Sequence, residues 1–97
     1  MNFQATLLAE HDNVAVVLRP VVAGETVRVR TPAGTREVVA LEPIPLCHKI
    51  ALDDIAPGSD VLKYGWCIGE ARSPIRHGAW VHVHNLVSRR GRSASPA

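Results

Sequence analysis

Little in this sequence is suited to stacking on nucleic-acid bases. Aromatic residues make up only 4% of its 97 positions, and the formal charge of +2 is concentrated at one end, because Arg89, Arg90 and Arg92 all fall in "SRRGRSASPA". Without that stretch the chain carries eight Lys and Arg against nine Asp and Glu, a net charge of −1. A body of that balance, with no basic face, excludes nucleic acid as a partner. Long apolar runs are also missing. "VAVVL" is far too short to span a bilayer, and "MNFQATLLAEHDNVAVVL" has no basic segment leading into an unbroken apolar one, so neither a membrane partner nor a secretory signal is expected. Cys47 and Cys67 are the two cysteines. They form neither a C-x-x-C pair nor a disulfide-dense framework, which fits a reducing cytoplasm and predicts buried free thiols. Phosphate-binding glycine loops and H-E-x-x-H are absent as well.

What is present is a chain that is 46% hydrophobic, its apolar content dominated by Val, Leu, Ile and Ala, long enough for one domain and one core. Short Val- and Ile-rich runs are punctuated by Gly and Pro, and no stripe of helical period reaches helical length, so the fold class is mostly β, a small domain of short strands and hairpins. "NVAVVL" (13 to 18) is a buried strand candidate. "TVRVR" alternates cleanly, with Val27 and Val29 on one face and Arg28 and Arg30 on the other. "TPAGT" makes a turn, and "REVVALE" returns as its hairpin partner. Pro43 and Pro45 in "PIPL" hold the chain extended. The domain is expected to cover 1–87, and 88–97 to be a disordered basic C-terminal tail.

Shifting the chain by twenty residues lays "CHKIALDDIAPGSDVLKYG" over "CIGEARSPIRHGAWVHVHN", with Cys47 on Cys67, Ala51 on Ala71, Ile55 on Ile75, Gly58 on Gly78 and Val61 on Val81. The element Φ-x-x-G-x-x-V occurs a third time as Val21, Gly24 and Val27. Its physical sense is an apolar anchor, a Gly able to take positive φ, and a Val that starts the next strand inward. Gly24, Gly58 and Gly78 are therefore structural turn residues, and Gly65 in "KYG" is a fourth.

Chemical potential is concentrated in a few places. In "WVHVHNL" an extended strand would project His82 and His84 to one side and Val81 and Val83 to the other. Two imidazoles on one face suit a metal or an anionic substrate, and they suit equally the wet side of a half-exposed strand; two ligands do not complete a metal shell. Cys47 and His48 are adjacent, so in a strand they point apart, which argues against a thiolate–imidazole pair. His48 with Lys49 fits a substrate pocket better. Lys63 is either an anion contact or a solvated lysine, and "HDN" (11 to 13) is either a site or a polar turn. Asp53 and Asp54 are neighbours and diverge, so they are no acid/base pair.

Three stretches, "DNVAVVLR", "HKIALDDIAPGSDVLKYGWCIGEA" and "GAWVHVHN", together resemble the SAF-type N-terminal domain of the altronate and galactarate dehydratases, which also exists as a separate small subunit in relatives such as sulfolactate sulfo-lyase. The resemblance implies a small β-clip (SAF-like) fold. It implies a lyase role as the small subunit of a sugar-acid dehydratase, a hydro-lyase acting on altronate- or galactarate-type hydroxy acids, which shapes or closes the site of a large catalytic subunit and is inactive alone. The alternatives are the small subunit of a sulfolactate-type sulfo-lyase and a non-enzymatic SAF module for carbohydrate binding or assembly. A divalent metal, usually iron, is expected on the partner subunit, and a homo-oligomer is compatible with the family. Carried over onto this chain, the motif residues are His48, Lys49, Lys63, Tyr64, Gly65, His82, His84 and Asn85, with His82 and His84 the candidates near metal. The family more often has Gly at the position of Cys47.

Overall fold

The computed structural model describes residues 3–7 and 9–88, and every regular element among them is a strand: β1 (Ala5–Thr6), β2 (Val14–Val17), β3 (Thr26–Thr31), β4 (Gly34–Val39), β5 (Lys49–Ala51), β6 (Asp60–Lys63), β7 (Trp66–Ala71), β8 (Trp80–Val81) and β9 (Leu86–Ser88). The mostly β expectation holds. No helix among the described residues is long and apolar enough to cross a membrane. Six strands form one sheet in the order β4-β3-β1-β2-β5-β8, with β1 and β3 parallel and the other pairs antiparallel, and β6-β7-β9 form a second, antiparallel sheet.

Alternation along β2 and β5 divides the interior into two cores, because successive residues of a strand face opposite sides. Ala15, Val17 and Ile50 join Val27, Val29, Ile44 and Leu52 in one cluster, while Val14 and Ala51 join Ile55, Val61, Ile75 and Val81 in the other. The strands β2, β5 and β8 are thus a wall shared by both.

The turn-to-strand element occurs four times. Val21, Ile44, Ile55 and Ile75 are the apolar anchors, joined in pairs as isolated bridges, Val21 with Ile44 and Ile55 with Ile75. Three residues after each anchor stands a residue with positive φ: Gly24 at 86°, Cys47 at 70°, Gly58 at 82° and Gly78 at 91°. In each unit the next residue donates its N–H back to the residue that follows the anchor, Glu25 to Val22, His48 to Pro45, Ser59 to Ala56 and Ala79 to Arg76. A turn closed this way, with positive φ at its third residue, is of type II. The positive-φ N–H in turn reaches the carbonyl of a residue in a strand or just past its end, Ala40, Val17, Ala71 and Ala51 respectively. The exchange between Ala51 and Ala71 is reciprocal: Gly58 bonds Ala71 and Gly78 bonds Ala51.

The sequence repeat is therefore real at Ile55/Ile75, Gly58/Gly78, Val61/Val81 and Ala51/Ala71, but Cys47 does not correspond to Cys67. Cys47 takes a glycine's place in a turn and Cys67 lies in β7. Both thiols are exposed and free, contrary to the expected burial, because one sits at a turn corner and the other on the outer side of a strand near a hairpin tip.

"HDN" is a structural clamp. Asp12, only 5% exposed, accepts the backbone N–H groups of Tyr64 and Gly65 through its two carboxylate oxygens, each at 2.7 Å. Asn13 accepts the N–H of Leu62 at 2.7 Å and donates to the carbonyl of Asp60 at 2.9 Å. The two-residue loop between β6 and β7 has positive φ at both Tyr64 (57°) and Gly65 (78°), the requirement of a type I′ hairpin. β9 continues through Ser88, which pairs with Gly69. The rest of the expected tail, 89–97, lies outside the described residues.

Candidate functional site

The strand expected across "WVHVHNL" stops at Val81. His82 to Asn85 form a turn, and its cause is Asn85, whose side chain accepts the N–H of His82 at 2.9 Å and donates to the carbonyl of Trp80 at 2.8 Å. Satisfying those backbone groups locally replaces the sheet ladder, as short polar side chains do. One expectation changes in consequence. Val83 is 71% exposed and does not share the inward face of Val81, which is fully buried. Asn85 is buried at 8% with both ends of its amide engaged, so its side chain is committed to building the turn.

The turn nevertheless brings His82 and His84 together, through a residue that the sequence pattern alone did not single out. His82 stacks on Trp80 with ring centroids 5.5 Å apart and planes within 11°, and His84 meets the same indole at 5.2 Å. His48 arrives from the second turn unit, where its backbone N–H and carbonyl bond Pro45 and Val17. Its ring lies 4.5 Å from that of His82, and its Nδ1 accepts the Trp80 indole N–H at 3.1 Å. The only sequence signal for Trp80 was its place beside the histidines in a chain with two tryptophans.

Lys49 extends the cluster. It is half-buried, paired in the sheet with Val16 on one side and Val81 on the other. Burial and the nearby Lys63 ammonium push its amine below the usual lysine range. Lys63 packs its ammonium 4.9 Å from the centre of the Tyr64 ring. His82 is likewise held below the ordinary histidine value, first by desolvation and then by His48, Lys49 and His84. All of these influences disfavour a positive charge. Glu42 is the carboxylate at the border of this cluster, and it accepts the backbone N–H of Trp80 at 3.0 Å.

The structure thus joins His48, His82 and His84 around Trp80, with Lys49 acting on His82 through its charge and Lys63 at the margin. Cationic groups and imidazole donors next to an aromatic ring suit an oxygen-rich anion. Among the described residues no group of three or more His, Cys, Asp and Glu is arranged to hold an ion, so a metal near His82 and His84 would need further ligands from elsewhere.

A separate open cleft of about 520 Å³ is lined by Arg36, Glu37, Val38, Val39, Leu52, Asp53, Asp54 and His77 and shares no residue with the cluster. The two aspartates diverge there as expected. Asp53 pairs with Arg36 at 2.7 Å. Asp54 accepts the His77 backbone N–H and contacts its ring, which hold its carboxyl below the usual range.

Comparison with known proteins gives the family. The sequence profile of the altronate/galactarate dehydratase SAF domain matches residues 4–89. The chain is 42% identical over 74 residues to altronate dehydratase of Escherichia coli (strain K12), a stretch covering 76% of this chain and 14% of that enzyme. It is 36% identical over 76 residues to the galactarate dehydratase (L-threo-forming) of the same organism, again spanning 14% of the longer protein. Against the (2R)-sulfolactate sulfo-lyase subunit alpha of Chromohalobacter salexigens it is 36% identical over 77 residues, which cover 77% of this chain and 82% of that subunit. The chain therefore spans a small part of the dehydratases and most of the sulfo-lyase subunit, and it belongs to the altronate/galactarate dehydratase SAF-domain family.

Proposed function

We propose that this chain is the small subunit of a sugar-acid lyase, a hydro-lyase component that holds the carboxylate end of an altronate- or galactarate-type hydroxy acid at the mouth of a site completed by a large catalytic subunit. The observation that carries the reading is the convergence of His48, His82 and His84 on Trp80, with His82 made less basic by burial and by the charges of His48, Lys49 and His84. An anionic ligand would relieve that repulsion. Proton transfer and metal chemistry belong in this reading to the partner. A divalent metal, iron by family resemblance, would be held there, since the described residues of this chain offer no sufficient ligand set.

A second reading differs only in the leaving group. The chain covers 82% of a protein named as the alpha subunit of a sulfolactate sulfo-lyase, and a sulfonated hydroxy acid is an anion of the same kind. The test is to purify this chain alone and together with a co-expressed catalytic chain, and to assay both preparations on galactarate, altronate and sulfolactate. Turnover by the complex only, on a hexonate or hexarate, is the expected result; preference for sulfolactate moves the assignment to the second reading. Robust turnover by the chain alone overturns the subunit role.

A further inference from the structure

The indole N–H of Trp80 donates to Nδ1 of His48 at 3.1 Å. Tryptophan's ring nitrogen is a donor only, so the nitrogen it bonds must present a bare lone pair. In a neutral imidazole the single proton then resides on the other nitrogen. We propose that Trp80 is a positioning residue that fixes His48 as its Nε2–H tautomer, so that His48 meets the substrate as a hydrogen-bond donor and not as a proton acceptor.

Both partners are held where this bond requires. Trp80 is tied through its backbone N–H to Glu42, through its carbonyl to Asn85 and by pairing with Ile50 in the sheet, and His82 lies flat against its ring. His48 is fixed by the turn bonds of its own unit. A protonated His48 would set Nδ1–H against the indole N–H, an encounter of two donors. The titratable groups around this pair are Cys47 and Lys49, on either side of His48 in the chain, and His82 and His84, in ring contact with it, with Lys63 beyond Lys49 and Glu42 committed to the Trp80 backbone. None of them gives Nδ1–H an acceptor.

The consequence is a division of roles among three imidazoles. With its one lone pair occupied by Trp80, His48 can only donate, through Nε2–H, to a carboxylate or hydroxyl oxygen. The rings of His82 and His84 carry no hydrogen bond among the described residues, so any proton accepted within this cluster goes to them. This assignment rests on the proposed anion-binding reading for its purpose, but the tautomer itself does not.

The experiment is a long-range proton–nitrogen correlation spectrum of the ¹⁵N-labelled full chain at a pH where the rings are neutral. The expected result is a pyridine-like Nδ1 and a pyrrole-like Nε2 for His48; a pyrrole-like Nδ1 overturns the proposal. In Trp80→Phe both His48 nitrogens should move toward averaged values, and unchanged shifts in a folded variant would equally overturn it. Should that variant fail to fold, the spectrum of the unaltered chain decides. Adding galactarate to the assembled enzyme separates the two ideas. A His48 Nε2–H resonance that does not respond removes the proposed function and leaves the tautomer standing.

Discussion

The Asp12 carboxylate spans from the start of β2 to the N–H of Gly65, at 2.7 Å, and takes the N–H of Tyr64 through its other oxygen. That one buried side chain fixes the hairpin between β6 and β7 and with it the position of Lys63. Asp12→Asn keeps one acceptor and turns an amide N–H₂ against a backbone donor, so it should cost about 1.5–3 kcal/mol, the range for hydrogen bonds to a charged group. Denaturant midpoints of the two chains measure it, and Asp12→Ala should be no milder.

Gly58 and Gly78 occupy the same place in two turn units with nearly equal φ, 82° and 91°, yet their surroundings differ. A Cβ on Gly58 meets nothing within 4 Å, whereas on Gly78 it would come within 2.1 Å of the Val39 carbonyl oxygen. Gly58→Ala should cost about 1–2 kcal/mol for the left-handed backbone alone. Gly78→Ala adds an overpacking cost of about 1–3 kcal/mol and should lower the melting temperature distinctly further.

Cys47 stands in the glycine place of the second turn unit with φ of 70°. Cys47→Gly removes a left-handed penalty of about 1–2 kcal/mol and adds about 0.4–1 kcal/mol of unfolded-chain entropy. The net should be a small rise in melting temperature. Cys47→Val, β-branched in the same conformation, should lower it.

Most of the fold was legible because its local signals agree. "TVRVR" shows a strand of period two, and Val27 and Val29 are indeed buried. Three of the four turn units could be recognised from their glycines. The fourth was hidden because Cys47 adopts a glycine's conformation, which composition does not reveal. The site was legible in its residue types but not in its geometry. His82 and His84 were expected to align by strand alternation, and what brings them together is the Asn85 turn and the Trp80 ring. Likewise nothing local in "HDN" indicates that its partners lie in the hairpin fifty-odd residues later, since long-range side-chain-to-backbone bonds leave no periodic trace.

His82 should make stability depend on pH. Its folded value lies below the ordinary 6.5, so as pH falls through that range the unfolded chain takes up a proton that the folded chain resists, and folding weakens. The effect ends once the folded ring is also protonated. Melting curves at pH 8 and pH 5.5 should therefore differ for the unaltered chain and differ less for His82→Gln. An anion bound at the cluster favours the protonated ring, so galactarate affinity of the assembled enzyme should rise over the same fall in pH.

The alternate residues of the last turn give the sharpest separation of structure from function. Val81 is fully buried and Val83 is 71% exposed. Val81→Ala should cost about 2 kcal/mol for two lost methyl groups in a packed core, whereas Val83→Ala should stay within about 0.5 kcal/mol, as for ordinary surface changes. A strand running through both would have made the two substitutions alike. Replacing His82 and His84 together by Gln leaves the Asn85 bonds intact, because those involve the backbone of His82 and the carbonyl of Trp80, so stability at pH 8 should fall by under about 1 kcal/mol. Turnover reconstituted with the proposed catalytic subunit should nevertheless drop at least about tenfold, the loss expected when positioned acid, base or anion contacts are removed. Melting and reconstituted turnover, measured on the His pair and on each valine, decide the matter. A His pair that destabilises the domain while turnover per folded complex is unchanged would make the imidazoles packing for Trp80 and nothing more.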